Sequence, residues 1–250
     1  MNDNLFQAPR APDFPPLLSA HPVGDTTDPF QKACAMAALG CDSGVLVYSI
    51  TPDRLRAAIV FAPETPLEQA MQVFCACGTG FQNAFGALAP PEVALHLTWP
   101  GDILVNGAKS GQLQVAASQD DPSVTPDWLV VGLEVWLIPQ ASDEPGNAPD
   151  ETCLYLEGCA EVEPLELLEG WARHTLVWVN GLVGGDVRAL HGEWRELLYG
   201  IGTEVAQAVN GVAQRGTFVG VDGDFAMLLR VGDHTHLIPL SALLNTKETT

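Results

Sequence analysis

A lysine and an aspartate flank a tight turn in the stretch HLTWPGDILVNGAKSGQLQVAAS, residues 96–118. Asn106-Gly107 is a strong β-hairpin signal, so Asp102 and Lys109 are expected on the two strands that the turn joins. One interpretation is that Lys109 contacts a ligand. A structural role is the alternative, because a hairpin lysine is commonly a solubilising residue and an aspartate after proline can cap a turn.

Cysteine and histidine offer weaker candidates for chemistry. The six cysteines, at positions 34, 41, 75, 77, 153 and 159, include no CxxC pair of the kind that binds zinc. Cys153 and Cys159 could act as nucleophiles, but no histidine stands near either in the sequence. His234 and His236 share one face of a strand. No third ligand can be named beside them, so we predict no metal site.

The composition limits the classes of partner. Asp and Glu outnumber Lys and Arg by 31 to 11, which gives a net charge of −20. Such a charge repels nucleic acid and anionic lipid surfaces, so we expect neither as a partner. No apolar run reaches the ~20 residues of a membrane span, and the first residues lack the pattern of a signal peptide. We therefore expect a cytoplasmic protein with reduced cysteines.

The first half of the chain predicts an extended arm, a helix and several strands that position the Asp102–Lys109 hairpin. Residues 1–20 are rich in proline, and a helix capped between Asp25 and Asp28 is expected to start near Pro29. Strands are expected at 45–50, 57–62, 93–99 and 128–139, the last nearly all apolar and therefore central. A long helix is expected to run from Pro66 through Leu88.

The second half predicts mostly helix, followed by a small β unit. A polar loop is expected at 140–151, a helix from Pro164 through Trp178, and a further helix across 191–209. Three short strands are expected between Gly216 and Leu244. These elements indicate an α+β fold with a main domain at 1–210 and a small domain at 211–250. With an apolar fraction of 47%, the chain can bury a large core.

Taken in order, these segments resemble the biotin/lipoate protein ligases along almost the whole chain. VGDTTDPFQKACAMAALG is similar to the family's Ser-Thr-Asn stretch at its first helix. The hairpin segment resembles its Lys-Trp-Pro-Asn-Asp strand with the lysine beyond, and WLVVGLEVWL resembles its Gly-Ile-Asn strand. The resemblance implies a class II synthetase-like mixed or antiparallel sheet packed with helices. GTFVGVDGDFAMLLRVGDHTHLIPL resembles the family's SH3-like β-barrel C-terminal domain.

The resemblance also implies a site. In the family a biotin-like acid and ATP form an acyl-adenylate, which is passed to a lysine of a carrier domain, and Lys109 and Asp102 match two residues of that site. They are therefore the catalytic candidates. The ligand-binding candidates that the resemblance implies are Trp99, Thr26, Thr27, Arg54, Asn106, Gly107, Gly111 and Gln112.

The sequence departs from the family where ATP would be held. The family's Gly-Arg-Gly-Arg loop is expected between the strands at 45–50 and 57–62, where only TPDRLR stands. Arg54 and Arg56 would be remnants of this loop. Gln112 stands where the family has a glycine after the hairpin lysine. The family's strand asparagine is absent, and Glu134 lies near its position. Each missing arginine removes charge-assisted hydrogen bonds worth roughly 1.5–3 kcal/mol.

Three hypotheses follow from these observations. The chain is a divergent ligase that activates or transfers a small carboxylic acid such as biotin, lipoate or a fatty acyl group, with ATP as cofactor. Alternatively, it binds a small ligand without catalysis, or it presents a surface to a protein partner. An acyl-carrier-type protein is the partner that the resemblance implies, and a homodimer through a sheet edge is a further expectation.

Overall fold

The computed structural model describes residues 10–139, 150–209 and 212–245. Most of the polar loop expected at 140–151 lies outside these residues, as does the beginning of the proline-rich arm. The described part of that arm is held to the main domain by an ion pair of 2.8 Å between Arg10 and the buried Glu169. None of the described helices is both long enough and apolar enough to cross a membrane.

A seven-stranded mixed sheet forms the centre of the main domain, in the order β1-β2-β3-β7-β6-β5-β4. Only β1 and β2 pair in parallel, and every other neighbouring pair is antiparallel. The central position of β7 confirms what its apolar run predicted. The strands are β1 (Ser19–Pro22), β2 (Val45–Ile50), β3 (Arg54–Phe61), β4 (Leu95–Leu97), β5 (Asp102–Val105), β6 (Ala108–Ala117) and β7 (Leu129–Trp136).

One helix covers one face of this sheet. Helix α1 (Pro29–Ala38) begins where expected, because the Asp28 side chain accepts hydrogen bonds from two free N–H groups of its first turn. It packs on β2, β3 and β7 through small residues such as Ala33 and Ala37. The helix ends at Gly40, whose φ of 83° favours glycine.

Two long helices cover the other face. The helix expected from Pro66 is in fact two, α2 (Leu67–Ala70) and α3 (Gln72–Leu88), and α4 (Pro164–Val183) packs along α3. The contact is close because Gly80 faces Thr175, where a Cβ would lie 2.7 Å from the backbone nitrogen of Thr175. A shorter helix, α5 (Val187–Leu197), adds Trp194 to the core.

A four-stranded antiparallel sheet follows as a small C-terminal unit. Its strands are β8 (Glu204–Val209), β9 (Val212–Val221), β10 (Met227–Val231) and β11 (His234–Ile238). The expected helix across 191–209 is therefore wrong in its second half, because residues 204–209 pair with β9 instead. This sheet starts before residue 211, the expected start of the small domain. It fits the predicted SH3-like unit.

Candidate functional site

Four polar residues form a continuous row across the sheet. Arg56 of β3, Glu134 of β7, Gln112 of β6 and Asp102 of β5 lie directly opposite one another in register. Opposite residues of antiparallel strands point to the same face. Ala58 lies two residues along β3 from Arg56, so the two side chains share a face of the sheet. Ala58 packs beneath α1, and the four residues therefore point to the face that α1 covers. We call these four residues the polar row.

Lys109 joins one end of the polar row through an ion pair. Its Nζ lies 2.6 Å from Oδ1 of Asp102, and both side chains are about one-third exposed, at 31% and 35%. Thr98 fixes the carboxylate, because its hydroxyl donates to Oδ2 of Asp102 at 3.2 Å and accepts from the Asp102 N–H at 2.9 Å. The two predicted catalytic residues are thus in direct contact.

Arg54 is the second cation beside the row. It lies on strand β3 and not in the loop where the sequence placed it, because β3 begins three residues earlier than expected. Its guanidinium pairs with Glu134 and lies 3.6 Å from the carboxylate of Asp53. Glu134 also accepts a hydrogen bond of 3.3 Å from Gln112. A hydrogen bond from the Thr51 hydroxyl, aided by the charge of Arg54, lowers the pKa of Asp53.

An open cleft of about 240 Å³ lies between the first turn of α1 and the polar row. Phe30 covers Gly132 at its base, where a Cβ would lie only 2.7 Å from the phenyl ring. The cleft is lined, among others, by Asp28, Phe30, Arg56, Gln114, Gly132 and Glu134.

The turn before α1 is tied to the cleft. It holds Thr26, which is exposed, and Thr27, which is half-buried. Arg56 donates a hydrogen bond of 2.8 Å to the carbonyl oxygen of Asp25 in this turn. The predicted hydroxyl residues therefore precede Asp28, which lines the cleft, but are not themselves among its lining residues.

Four of the predicted ligand-binding residues have structural roles. Trp99 is 1% exposed, and its indole N–H donates to the carbonyl oxygen of Phe225, in the turn between β9 and β10, at 2.9 Å. Asn106 and Gly107 form the expected tight turn, with φ values of 50° and 92°. Gly111 is buried, and a Cβ there would lie 2.2 Å from the carbonyl oxygen of Glu134. Asn106, Gly107 and Gly111 therefore shape the hairpin. Trp99 is buried and presents no surface to the cleft.

The cysteines do not form an activated nucleophile. Cys153 and Cys159 are each 3% exposed, and burial raises the pKa of the Cys159 thiol, an effect that the charge of Glu157 reinforces. Burial also raises the pKa of Cys34 to about 11. The described residues contain no cluster of three His, Cys, Asp or Glu side chains placed to hold a metal ion.

Sequence reasoning missed some of the residues that line the cleft. Phe30 and Gln114 were not singled out, and Arg56 was treated as a remnant in a loop. The period of two in β6 could have placed Gln114 on the same face as Gln112. The role of Phe30 depends on how α1 crosses β7, which carries no local signal in the sequence.

Comparisons with known proteins agree with this architecture. Residues 14–196 match the model of the biotin/lipoate A/B protein ligase family, and residues 205–246 match a domain family of unknown function, DUF4444. A biotin–[acetyl-CoA-carboxylase] ligase from Paracoccus denitrificans is 25% identical over 182 residues, which are 72% of this chain and 75% of that protein.

Solved structures give the same result. A biotin protein ligase-like protein of unknown function from Silicibacter sp. TM1040 is 52% identical, with a TM-score of 0.86 over 94% of this chain and 99% of that one. The Aquifex aeolicus biotin protein ligase is 17% identical, with a TM-score of 0.69 over 90% of this chain and 96% of that one, and shares the fold. The resemblance and the α+β fold class read from the sequence are confirmed, and this chain belongs to the biotin/lipoate A/B protein ligase family.

Proposed function

We propose that this protein binds a small carboxylic acid in the cleft beneath α1 and has lost the ATP-dependent ligation of its family. The observation that carries the proposal is the pairing of two site cations with carboxylates of the chain itself. Lys109 pairs with Asp102, and Arg54 pairs with Glu134. Both cations already have a fixed anionic partner.

The charge of the site bears directly on ATP. Triphosphates are held by arginine and lysine through charge-assisted hydrogen bonds. Here Asp102 and Glu134 cancel the charges of Lys109 and Arg54, and Asp53 adds a further negative charge beside Arg54. A triphosphate would have to displace these carboxylates while the whole chain, at −20, repels it.

The turn between β2 and β3 supports the same proposal. Only Thr51, Pro52 and Asp53 separate the two strands, where the resemblance places an arginine-rich loop. The backbone N–H of Thr51 donates to the carbonyl oxygen of Arg54 at 2.9 Å, so the turn is closed on itself. A turn of this length has no residues with which to cover a nucleotide.

The cleft is the feature that supports acid binding. It combines an aromatic wall at Phe30, a glycine floor at Gly132 and polar side chains from three strands and from the turn before α1. Small-ligand sites commonly combine apolar walls with a few converging polar groups. Biotin, lipoate and octanoate are the acids that the family suggests.

The expected carrier partner fits this protein poorly. Carrier domains in this chemistry present acidic surfaces, and two strongly negative surfaces repel each other and slow association. The proposal therefore assigns acid binding to the chain without transfer to a carrier. Cytoplasmic location and a homodimer remain predictions.

Binding can be tested by thermal unfolding of the purified chain with biotin, lipoate, octanoate and short hydroxy acids such as 5-hydroxypentanoate. A ligand at ~100 times its dissociation constant stabilises the folded protein by about 2.7 kcal/mol. A Gln114→Trp variant should block the cleft and abolish the shift, whereas Gln214→Trp in the C-terminal sheet should keep it. A shift that survives Gln114→Trp, or no shift with any small acid, would contradict the proposal.

A further inference from the structure

Arg56 differs from the other two cations of the site. Its Nη2 donates to the carbonyl oxygen of Asp25, but its Nε is buried and has no hydrogen-bond acceptor among the described residues. No carboxylate in the described part of the chain forms an ion pair with it. Lys109 and Arg54, in contrast, are both paired. The free donor of Arg56 belongs to a residue that lines the cleft.

A second unsatisfied group stands beside it. Ser49 of β2 lies directly opposite Arg56 in register and is 3% exposed, and its hydroxyl has no partner within the part of the chain that the structure describes. Buried polar groups nearly always have a hydrogen-bond partner, because leaving one unpaired costs about 1–3 kcal/mol. Two such groups on neighbouring strands indicate a place where a polar group from outside the chain completes the hydrogen bonding.

We infer that Arg56 binds the carboxylate of a short carboxylic acid in this cleft. The guanidinium carries several N–H donors in a plane and matches a carboxylate better than a lysine does. This inference rests on the proposed function and adds the orientation and the size of the ligand. The carboxylate lies at Arg56, and Lys109 plays no part in holding it.

The size of the cleft restricts the ligand. Its 240 Å³ includes space open to solvent, so the enclosed space is smaller than this figure. A short chain therefore fits better than a biotin-sized acid.

The other side chains that line the cleft restrict the chemistry of the end of the ligand that lies away from Arg56. Asp28 and Glu134 bring carboxylate oxygens to the cleft, and Gln114 brings an amide. Carboxylates accept hydrogen bonds, so the far end of the ligand carries N–H or O–H donors. A bare alkyl chain would desolvate these oxygens without offering them a further donor. The ligand class is thus a short hydroxy, amino or ureido acid.

The test uses 5-hydroxypentanoate, its amide, pentanoate and biotin as probes in calorimetric titrations of the full-length protein. We expect 5-hydroxypentanoate to bind more tightly than pentanoate or biotin, and its amide to bind at least about tenfold more weakly, because the charge-assisted contact with Arg56 is lost. Arg56→Gln should lower the affinity for the acid by about tenfold or more. Arg56→Lys, which keeps the charge but not the planar donors, should lower it less.

Further variants distinguish a failure of the Arg56 inference from a failure of the proposed acid binding. Arg215→Gln, an exposed arginine of β9, should leave the affinity within about twofold, and melting temperatures confirm that each variant is folded. If Lys109→Gln abolishes acid binding and Arg56→Gln does not, the proposed function stands and this inference fails. Equal binding of acid and amide also overturns it. If neither the short acids nor biotin bind the wild-type protein, both proposals fail.

Discussion

The ammonium of Lys109 lies 2.6 Å from the carboxylate of Asp102, whose other oxygen is held by the Thr98 hydroxyl. In the resemblance that the sequence suggested, this lysine meets a developing negative charge on the substrate. In this structure it meets a negative charge of the protein. The contact agrees with the proposed loss of ligation, because the ion pair satisfies both residues without a ligand.

Removing the two neutralising charges should create an anion site. We expect Asp102→Asn with Glu134→Gln to raise the affinity for ATP by about tenfold at low salt, because Lys109 and Arg54 lose their anionic partners. The gain should shrink as the salt concentration rises and screens the charges. Calorimetric titration with ATP measures both effects.

The control double variant changes the net charge by the same amount, but at two residues away from the site. Asp120→Asn with Glu193→Gln alters two exposed residues that lie outside the polar row and the cleft, and should leave ATP binding unchanged. Equal gains in the two double variants would show that overall charge, and not the pairing at the site, limits ATP binding.

Trp99 should matter for stability and not for ligand binding. Trp99→Phe removes the indole N–H that donates to Phe225, which leaves a buried carbonyl oxygen unpaired at a cost of about 1–3 kcal/mol. Urea unfolding measures the loss. Trp178→Phe removes a similar bond to Asn83, but that side chain is partly exposed, so water can replace the bond and the loss should be smaller. An unchanged free energy of unfolding in Trp99→Phe would contradict this role.

Gly111 is expected to tolerate no side chain. Gly111→Ala places a Cβ 2.2 Å from the Glu134 backbone oxygen, and neither strand can shift without disturbing the sheet. We expect a destabilisation of about 3 kcal/mol or a failure to fold, as overpacking of a buried site predicts. Gly192→Ala in α5 has nothing within 4 Å and should stabilise the protein by about 0.5–1 kcal/mol. Similar melting temperatures for the two variants would exclude the close contact at Gly111.

Alkylation with iodoacetamide tests the cysteines. Because burial raises the pKa of Cys34 to about 11, its thiol stays protonated at neutral pH, and its labelling rate should rise with pH up to that value. The raised pKa also means that this thiol favours folding below the unfolded pKa of about 8.5, and that this contribution is lost as the pH rises through 11. Mass spectrometry of labelled peptides gives the rate, and rapid labelling of Cys34 at pH 7 would contradict the burial.

The sequence predicted the fold well where local signals agree with the tertiary structure. The cap at Asp28, the Asn106-Gly107 turn and the apolar run of β7 each fix an element on their own. The expected helix across 191–209 ends at Leu197, and residues 204–209 pair with β9 instead, because strand pairing is not a local property. The long helix after Pro66 breaks at Met71, where the sequence has no proline or glycine to signal it.

The site was predicted only in part, for a similar reason. Spacing around one hairpin brought Asp102 and Lys109 together correctly. Glu134 and Arg56 come from strands that are distant in sequence, and only the register of β3 against β7 shows that they are opposite each other. The partner of each charge therefore could not be read from the sequence.

Loss of the ATP-dependent ligation can be measured as the absence of acyl-adenylate formation by the wild-type protein. The protein is incubated with ATP, magnesium and biotin, lipoate or octanoate, and mass spectrometry is used to search for the acyl-adenylate while pyrophosphate release is followed. We expect the loss of ligation to show as stabilisation by a small acid without ATP, with no accumulation of acyl-adenylate or pyrophosphate. An acyl-adenylate formed by the wild-type chain, and lost in Lys109→Ala, would contradict it.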